Sequence, residues 1–135
     1  MNLKKLAFLY LVFISTLSDG MSQSKSATSY FHSFDNTEIA YSDEGAGEAV
    51  ILIHGFIVNA SSWNRSALKE ALLTQGYRVI APDLRGNGNS DKPSQKEAYQ
   101  DNAEIKDLIG LANHLKLKTY IAIGYSRGSI LLAKL

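Results

Sequence analysis

Along the 135-residue chain the hydrophobic positions change period several times, and each change marks an element. Tyr30 to Phe34 alternates aromatic with polar residues, and Glu38 to Ser42 does so more weakly. Asp35-Asn36 between them is turn material, so the stretch predicts a β-hairpin. Glu44-Gly45-Ala46-Gly47 breaks the pattern. Ala49 to Ile53 then runs continuously apolar, as a strand covered on both faces does, and stops at His54-Gly55-Phe56. Trp63, Ala67, Leu68, Ala71 and Leu72 recur at helical spacing, with Ser61 or Ser62 as the expected cap and Gly76 as the stop. Tyr77 to Ala81 reads as the next strand, ended by Pro82, and a loop rich in Gly, Asn and Ser follows from Asp83 to about Ser94. A helix is expected from about Gln95 to Leu115, with Ile105, Leu108, Ala112 and Leu115 on one face. Gly110 weakens it by ~1 kcal/mol relative to alanine. Thr119 to Gly124 is another buried strand, and a final helix is expected from Ser129. Strands alternating with helices predict an α/β fold: a mostly parallel sheet with right-handed crossovers, preceded by the hairpin.

The first 29 residues read differently. Lys4 and Lys5 precede an almost wholly apolar run from Leu6 to Leu17, and small and polar residues follow. That order predicts a signal peptide over residues 1–22 and export of the mature chain, with a flexible leader over residues 23–29. The apolar run is shorter than the ~20 residues a bilayer-spanning helix needs, so no stable membrane span is expected. An uncleaved anchor and a cytoplasmic product starting at Met21 are the alternatives. Removing residues 1–22 takes away two lysines and one aspartate and leaves a chain of about zero net charge.

Composition excludes several function classes. At 45% hydrophobic and 20% charged the chain is that of an ordinary folded domain, and 135 residues allow one domain at most. A net charge of +1 with no basic stripe argues against nucleic acid as a partner. Cysteine is absent, and the three histidines, His32, His54 and His114, lie far apart, so no disulfide framework and no metal site are expected. Gly86-x-Gly88 lacks the third glycine of a dinucleotide fingerprint, and no Lys-Ser/Thr follows to make a P-loop. No cofactor is expected.

Three strand ends carry unusual residues, and in parallel sheets sites gather at the carboxyl ends of strands. The first is His54-Gly55-Phe56 and the second is Asp83-Leu84-Arg85-Gly86-Asn87-Gly88-Asn89-Ser90. The third is Gly124-Tyr125-Ser126-Arg127-Gly128, a G-x-S-x-G sequence between a strand and a helix. That setting makes a nucleophile elbow, with the serine forced into a strained conformation and its hydroxyl clear of the sheet. Gly124 and Gly128 leave room for so tight a turn. A serine nucleophile also needs a base and donors for the developing oxyanion. The Arg127 N–H at the start of the last helix is one candidate donor, and the Phe56 N–H is the other.

In order and spacing the three stretches resemble the α/β-hydrolase superfamily, in its serine-nucleophile branch. His54-Gly55-Phe56 is similar to the HG oxyanion-loop signature, Asp83 to Ser90 to the D-x-R-G-x-G-x-S loop, and Gly124 to Gly128 to the elbow. The resemblance covers about residues 30–135, the N-terminal part of such a domain, truncated after the elbow. It implies that Ser126 is the nucleophile, that Phe56 and Arg127 supply the oxyanion hole, and that His54 supports the oxyanion loop. The implied substrate is a small ester or other acyl compound. Two departures stand out: Ile57 occupies a position that is often proline, weakening any link to peroxidase-like members, and Asn87 replaces a common histidine, a change expected to have little consequence. Asp83 and Arg85 read either as a substrate clamp or, with more weight, as an ion pair or turn hydrogen bonds shaping their loop. The family's catalytic acid and histidine lie beyond the elbow, so these 135 residues alone are expected to be inactive in fast hydrolysis. A non-catalytic fragment or binding module, and half of a split hydrolase completed by another chain, are the alternatives. The strand ending at Gly124 is expected to form an open, aggregation-prone edge.

Overall fold

The computed structural model describes residues 26–135; the predicted signal peptide and the first residues of the predicted leader lie outside them. The rest of that leader is paired. Strand β1 (Thr28–His32) begins inside it, and Thr28 and Ser29 face Ser42 and Tyr41 of β2 (Glu38–Glu44) in an antiparallel ladder. Because β2 extends to Glu44, its edge offers partners upstream of Tyr30, where the alternation of aromatic residues begins. The turn is built as the polar pair Asp35-Asn36 suggests: Asn36 takes φ 65°, and the Asp35 carboxylate accepts from the Thr37 N–H at 3.2 Å.

Five strands make one sheet in the order β1-β2-β4-β3-β5, with β3 spanning Ala49–Ile53, β4 Arg78–Pro82 and β5 Ile121–Gly124. The hairpin joins β4 antiparallel, whereas β3 runs parallel to both β4 and β5. All five residues of β3 are buried, as its unbroken apolar run requires. Its side chains divide by alternation. Ile51 and Ile53 pack with Phe31, Ile80, Leu108, Leu111 and Leu131 on one face. Val50 and Leu52 pack with Val79, Trp63 and Leu72 on the other. Helix α1 (Ala67–Thr74) covers the second face, while α2 (Ala103–His114) and α3 (Arg127–Leu132) lie on the first.

Two helices differ from the sequence expectation. The periodic stretch around Trp63 and Leu72 is divided at Ser66, whose extended backbone (φ −90°, ψ 125°) separates a 3-10 turn at Ala60–Arg65 from α1. The caps are therefore Asn59, accepting from the Ser61 N–H, and Ser66, accepting from the Leu68 N–H. Ser61 and Ser62 lie within the 3-10 turn. The helix expected from Gln95 is likewise split. Lys96–Tyr99 forms one 3-10 turn, Asp101 and Asn102 take positive φ, and α2 starts at Ala103. Only from Ala103 onward does a buried apolar face exist to hold a helix against the sheet. Gly110 has a packing role inside α2: a β-carbon there would lie 3.2 Å from the Phe31 ring.

Candidate active site

The connection after β3 leads to α1 on one face of the sheet, and the connection after β5 leads to α3 on the other. A crevice opens outside the carboxyl ends of two such strands. Its wall on the β5 side is the turn at Ser126, whose backbone stands at φ 53°, ψ −114°, immediately before α3. Residues with a side chain rarely adopt that region, and holding one there costs of order 1–3 kcal/mol. The turn is closed by the Gly128 N–H donating to the Tyr125 carbonyl at 2.9 Å and the Ser129 N–H donating to Ser126 at 3.0 Å. Gly124 and Gly128 touch: a β-carbon on Gly124 would lie 2.6 Å from the Ser129 nitrogen. The strain leaves Ser126 exposed at the mouth of the crevice.

The opposite wall is the chain after β3. Gly55 packs against the elbow, where a β-carbon would sit 3.1 Å from the Tyr125 ring and 3.4 Å from the Ser126 β-carbon. His54 is fully buried beneath it. Its Nε2 accepts from the Leu84 N–H at 2.9 Å, so the proton is on Nδ1, which donates to the Gly55 carbonyl at 2.6 Å. Burial holds the imidazole below its ordinary pKa and keeps it neutral. Both ring nitrogens are engaged, so His54 supports the loop and is not free to serve as a base. Phe56 is 64% exposed, and the Arg127 guanidinium lies 5.1 Å from its ring centroid. The Arg127 side chain also donates to the Glu104 carboxylate at 2.6 Å. It ties the elbow to α2, leaving the backbone N–H of Arg127 for any role in the crevice.

Asp83 and Arg85 do not form a pair. The Asp83 carboxylate accepts from the Ala60 N–H and the Asn89 N–H, each at 2.7 Å. It shapes its loop from within. Arg85, 1% exposed, points to the other side, donating to Asp107 from Nε and Nη2 at 2.6 Å each and to Asp35 at 2.9 Å. It also donates to the Ala98 carbonyl. Asp107 in turn accepts from the Ser33 hydroxyl at 2.5 Å. Burial works against the cation, but the hydrogen bonds from Arg85 to Asp107 and Asp35 raise its pKa above the ordinary arginine value. Asp83 thus bonds to backbone of its own loop and of the turn at Ala60, and Arg85 makes its ion pairs with Asp107 and Asp35 and not with Asp83. Asp35 reads in the sequence only as turn material and Asp107 carries no reading there, although an aspartate within the apolar face of α2, between Ile105 and Leu108, is a signal for a buried cationic partner. Asp91 and Lys92 also fasten this loop. Asp91 accepts from the Glu38 N–H at 2.9 Å, and Lys92 donates to the Gly88 carbonyl at 2.7 Å.

The other two histidines lie away from the crevice. His114 stacks on Phe31 at 5.4 Å, and His32 lies 3.9 Å from Glu38. Among the described residues no group of three or more His, Cys, Asp or Glu could hold a metal, and no helix is long and apolar enough to cross a membrane. A cleft of about 940 Å³ lies between α1 and β2 and reaches the loop after β4, lined by Glu44, Asn64, Lys69 and Asp83 among others. The first three satisfy one another, Lys69 pairing with Glu44 and donating to Asn64 at 2.8 Å. The crevice at Ser126 is the better candidate site, because strain and open backbone donors meet there.

Comparison with known proteins agrees with this geometry. Residues 48–135 match the family described as alpha/beta hydrolase fold. A putative non-heme chloroperoxidase from Synechocystis is 42% identical over 92 residues, 68% of this chain and 32% of that protein. Isoleucine at position 57 therefore does not set the chain apart from peroxidase-named relatives. An epoxide hydrolase mutant from Vigna radiata superposes with a TM-score of 0.74 at 28% identity, covering 82% of this chain and 34% of that one. An esterase from Exiguobacterium antarcticum superposes with a TM-score of 0.73 at 30% identity, covering 80% and 39%. The chain thus spans about a third of the length of the relatives it matches. With its sheet order, its strained elbow and a family match over residues 48–135, the chain belongs to the α/β-hydrolase fold family, of which it represents the N-terminal portion.

Proposed function

We propose that this chain carries the nucleophile and the oxyanion donors of a serine hydrolase acting on small esters or related acyl compounds. The observation that carries the reading is the backbone of Ser126, a non-glycine residue at φ 53° directly before a helix. A side chain is kept in a costly conformation where its hydroxyl is exposed, and glycine would fill the same turn without strain. In the proposed reaction the Ser126 Oγ attacks the acyl carbon while its proton passes to a histidine base. The oxyanion accepts from the N–H groups of Phe56 and Arg127. Collapse of the tetrahedral intermediate expels the alcohol, and water then cleaves the acyl-enzyme. With both nitrogens of His54 bonded, the base and its acid partner come from residues other than these, so the 135 residues alone hydrolyse slowly.

The chemistry of serine favours acyl transfer over the epoxide opening named in several relatives. A serine alkoxide that opened an epoxide would form an ether, which water does not cleave, whereas an acyl group on serine is an ester that water can release. Export through residues 1–22 is part of the proposal; mature protein found only in the cytosol would refute it. The catalytic reading is tested with a fluorophosphonate probe and an activated short-chain ester. Labelling is expected at Ser126 and absent in Ser126→Ala; label persisting unchanged in that variant would remove Ser126 from the role.

A further inference from the structure

The two peptide planes flanking Phe56 are each held by a side chain. Upstream, the His54 Nδ1–H donates to the Gly55 carbonyl at 2.6 Å. A trans peptide sets its C=O and N–H in opposite directions, so this bond aims the Phe56 N–H away from the buried imidazole. Downstream, the Asn87 side-chain amide donates to the Phe56 carbonyl at 3.0 Å and to the Val58 carbonyl at 3.1 Å. The amide nitrogen carries two N–H donors, which suits it to two carbonyl oxygens at once. Both restraints originate in the loop after β4. Asn87 lies in it, and the Leu84 N–H of the same loop holds His54 Nε2. Asn87 is itself fixed, its N–H donating to the Leu84 carbonyl at 2.9 Å and its carbonyl accepting from the Ser90 N–H at 3.1 Å.

Burial does not hold this part of the chain, because Phe56 is 64% and Ile57 88% exposed. The Arg127 guanidinium over the Phe56 ring restrains a side chain, not a peptide plane. We propose that Asn87 is a positioning residue, which through its two hydrogen bonds keeps the Phe56 N–H aimed at the oxygen of an acyl or phosphonyl group reacting with Ser126. The proposal rests on the serine-hydrolase reading above. It also replaces the expectation that asparagine at this position has little consequence, since the side chain makes two bonds across the crevice wall.

The test uses the full chain with Asn87→Asp, which keeps the shape and removes both donors, and Asn87→Ala. Phosphonylation of Ser126 by a fluorophosphonate is resolved into the maximal inactivation rate and the half-saturating probe concentration. The maximal rate is expected to fall about tenfold in both variants, part of the 10²–10³ that deletion of an oxyanion donor costs. The half-saturating concentration is expected to stay unchanged. In parallel, ¹⁵N relaxation is expected to show lower order at Phe56 and Ile57 in both variants, with the α2 amides unaltered. Equal maximal rates in all three proteins, a change confined to the half-saturating concentration, or unaltered order at Phe56 and Ile57 would each overturn the role of Asn87. Label persisting unchanged in Ser126→Ala overturns the nucleophile reading itself, an outcome distinct from Ser126-dependent label taken equally by all three.

Discussion

Gly128, in the first turn of α3, lies so close to the end of β3 that a β-carbon on it would sit 2.9 Å from the carbonyl carbon of Ile53 and 3.1 Å from the His54 oxygen. Through this contact the backbone that carries Ser126 rests on the backbone that leads to Gly55 and Phe56. Gly128→Ala must push α3 away from β3 or break the turn. A loss of about 3 kcal/mol in unfolding free energy is expected, read from urea denaturation, together with loss of probe labelling. A variant as stable as wild type would show that the contact is loose.

The strain at Ser126 predicts a trade between stability and reactivity. Ser126→Gly relieves a φ of 53° that favours glycine. The variant is expected to gain about 1 kcal/mol in stability and to take no label. Thermal denaturation checks the gain; a lower melting temperature than wild type would contradict it.

Acid should attack the hairpin turn and the buried histidine in separate pH windows. Burial alone would raise the Asp35 carboxyl, but hydrogen bonds from Arg85 and Thr37 outweigh it and set its pKa at about 2, below the ordinary aspartate value of 3.8. The unfolded chain binds the proton first, so this contribution is complete above pH 3.8 and is lost as pH falls towards 2. His54 has a lowered pKa through burial. Its contribution is complete above the unfolded value of 6.5 and declines as pH falls below it, until the folded-state pKa is reached. Urea midpoints from pH 8 to pH 2 are expected to show both declines, and Asp35→Asn is expected to flatten only the lower one. A midpoint that does not change between pH 7 and pH 5 would count against a neutral, buried His54.

Removing one member of the Arg85 cluster strands the rest. Asp107→Ala takes away two 2.6 Å bonds from a guanidinium that is 1% exposed and is expected to cost about 3–5 kcal/mol. Asp83→Ala acts on the loop from the other side, freeing the N–H groups of Ala60 and Asn89. Denaturation of both variants compares the two, and a loss under about 1 kcal/mol for Asp107→Ala would contradict the buried-pair assignment.

Strand β5 has one hydrogen-bonded neighbour, β3, among the described residues, and Ile121 on it is 41% exposed. An open apolar edge recruits other strands. Ile121→Lys is expected to lower light scattering on concentration without reducing stability. Unchanged scattering would show that this edge does not recruit other strands.

The strand positions, the elbow and the turn residues were legible along the chain because each depends on local constraints, but the strand expected to be buried over Thr119 to Gly124 is a shorter, part-exposed one at Ile121–Gly124, with β3 as its one neighbour among the described residues. Five adjacent apolar residues cannot be solvated, so Ala49 to Ile53 had to be interior. Glycine at 124 and 128 around a serine, set between an apolar strand and a helix, suits a close backbone approach. Less was visible where the outcome depends on residues distant in sequence. The split of the expected Gln95–Leu115 helix follows from where a buried face becomes available, which is a property of the sheet beneath it. The partners of Arg85 are 22 and 50 residues away. Asn87 became significant only when folding brought it beside carbonyl groups 31 and 29 residues upstream. Periodicity and backbone strain are written in neighbouring residues, whereas hydrogen-bond partners are chosen among groups that meet only after the sheet has formed. The sequence by itself thus determined where the strands and the elbow fall and the family, and the tertiary structure decided where the helices divide and which partners the buried polar side chains meet.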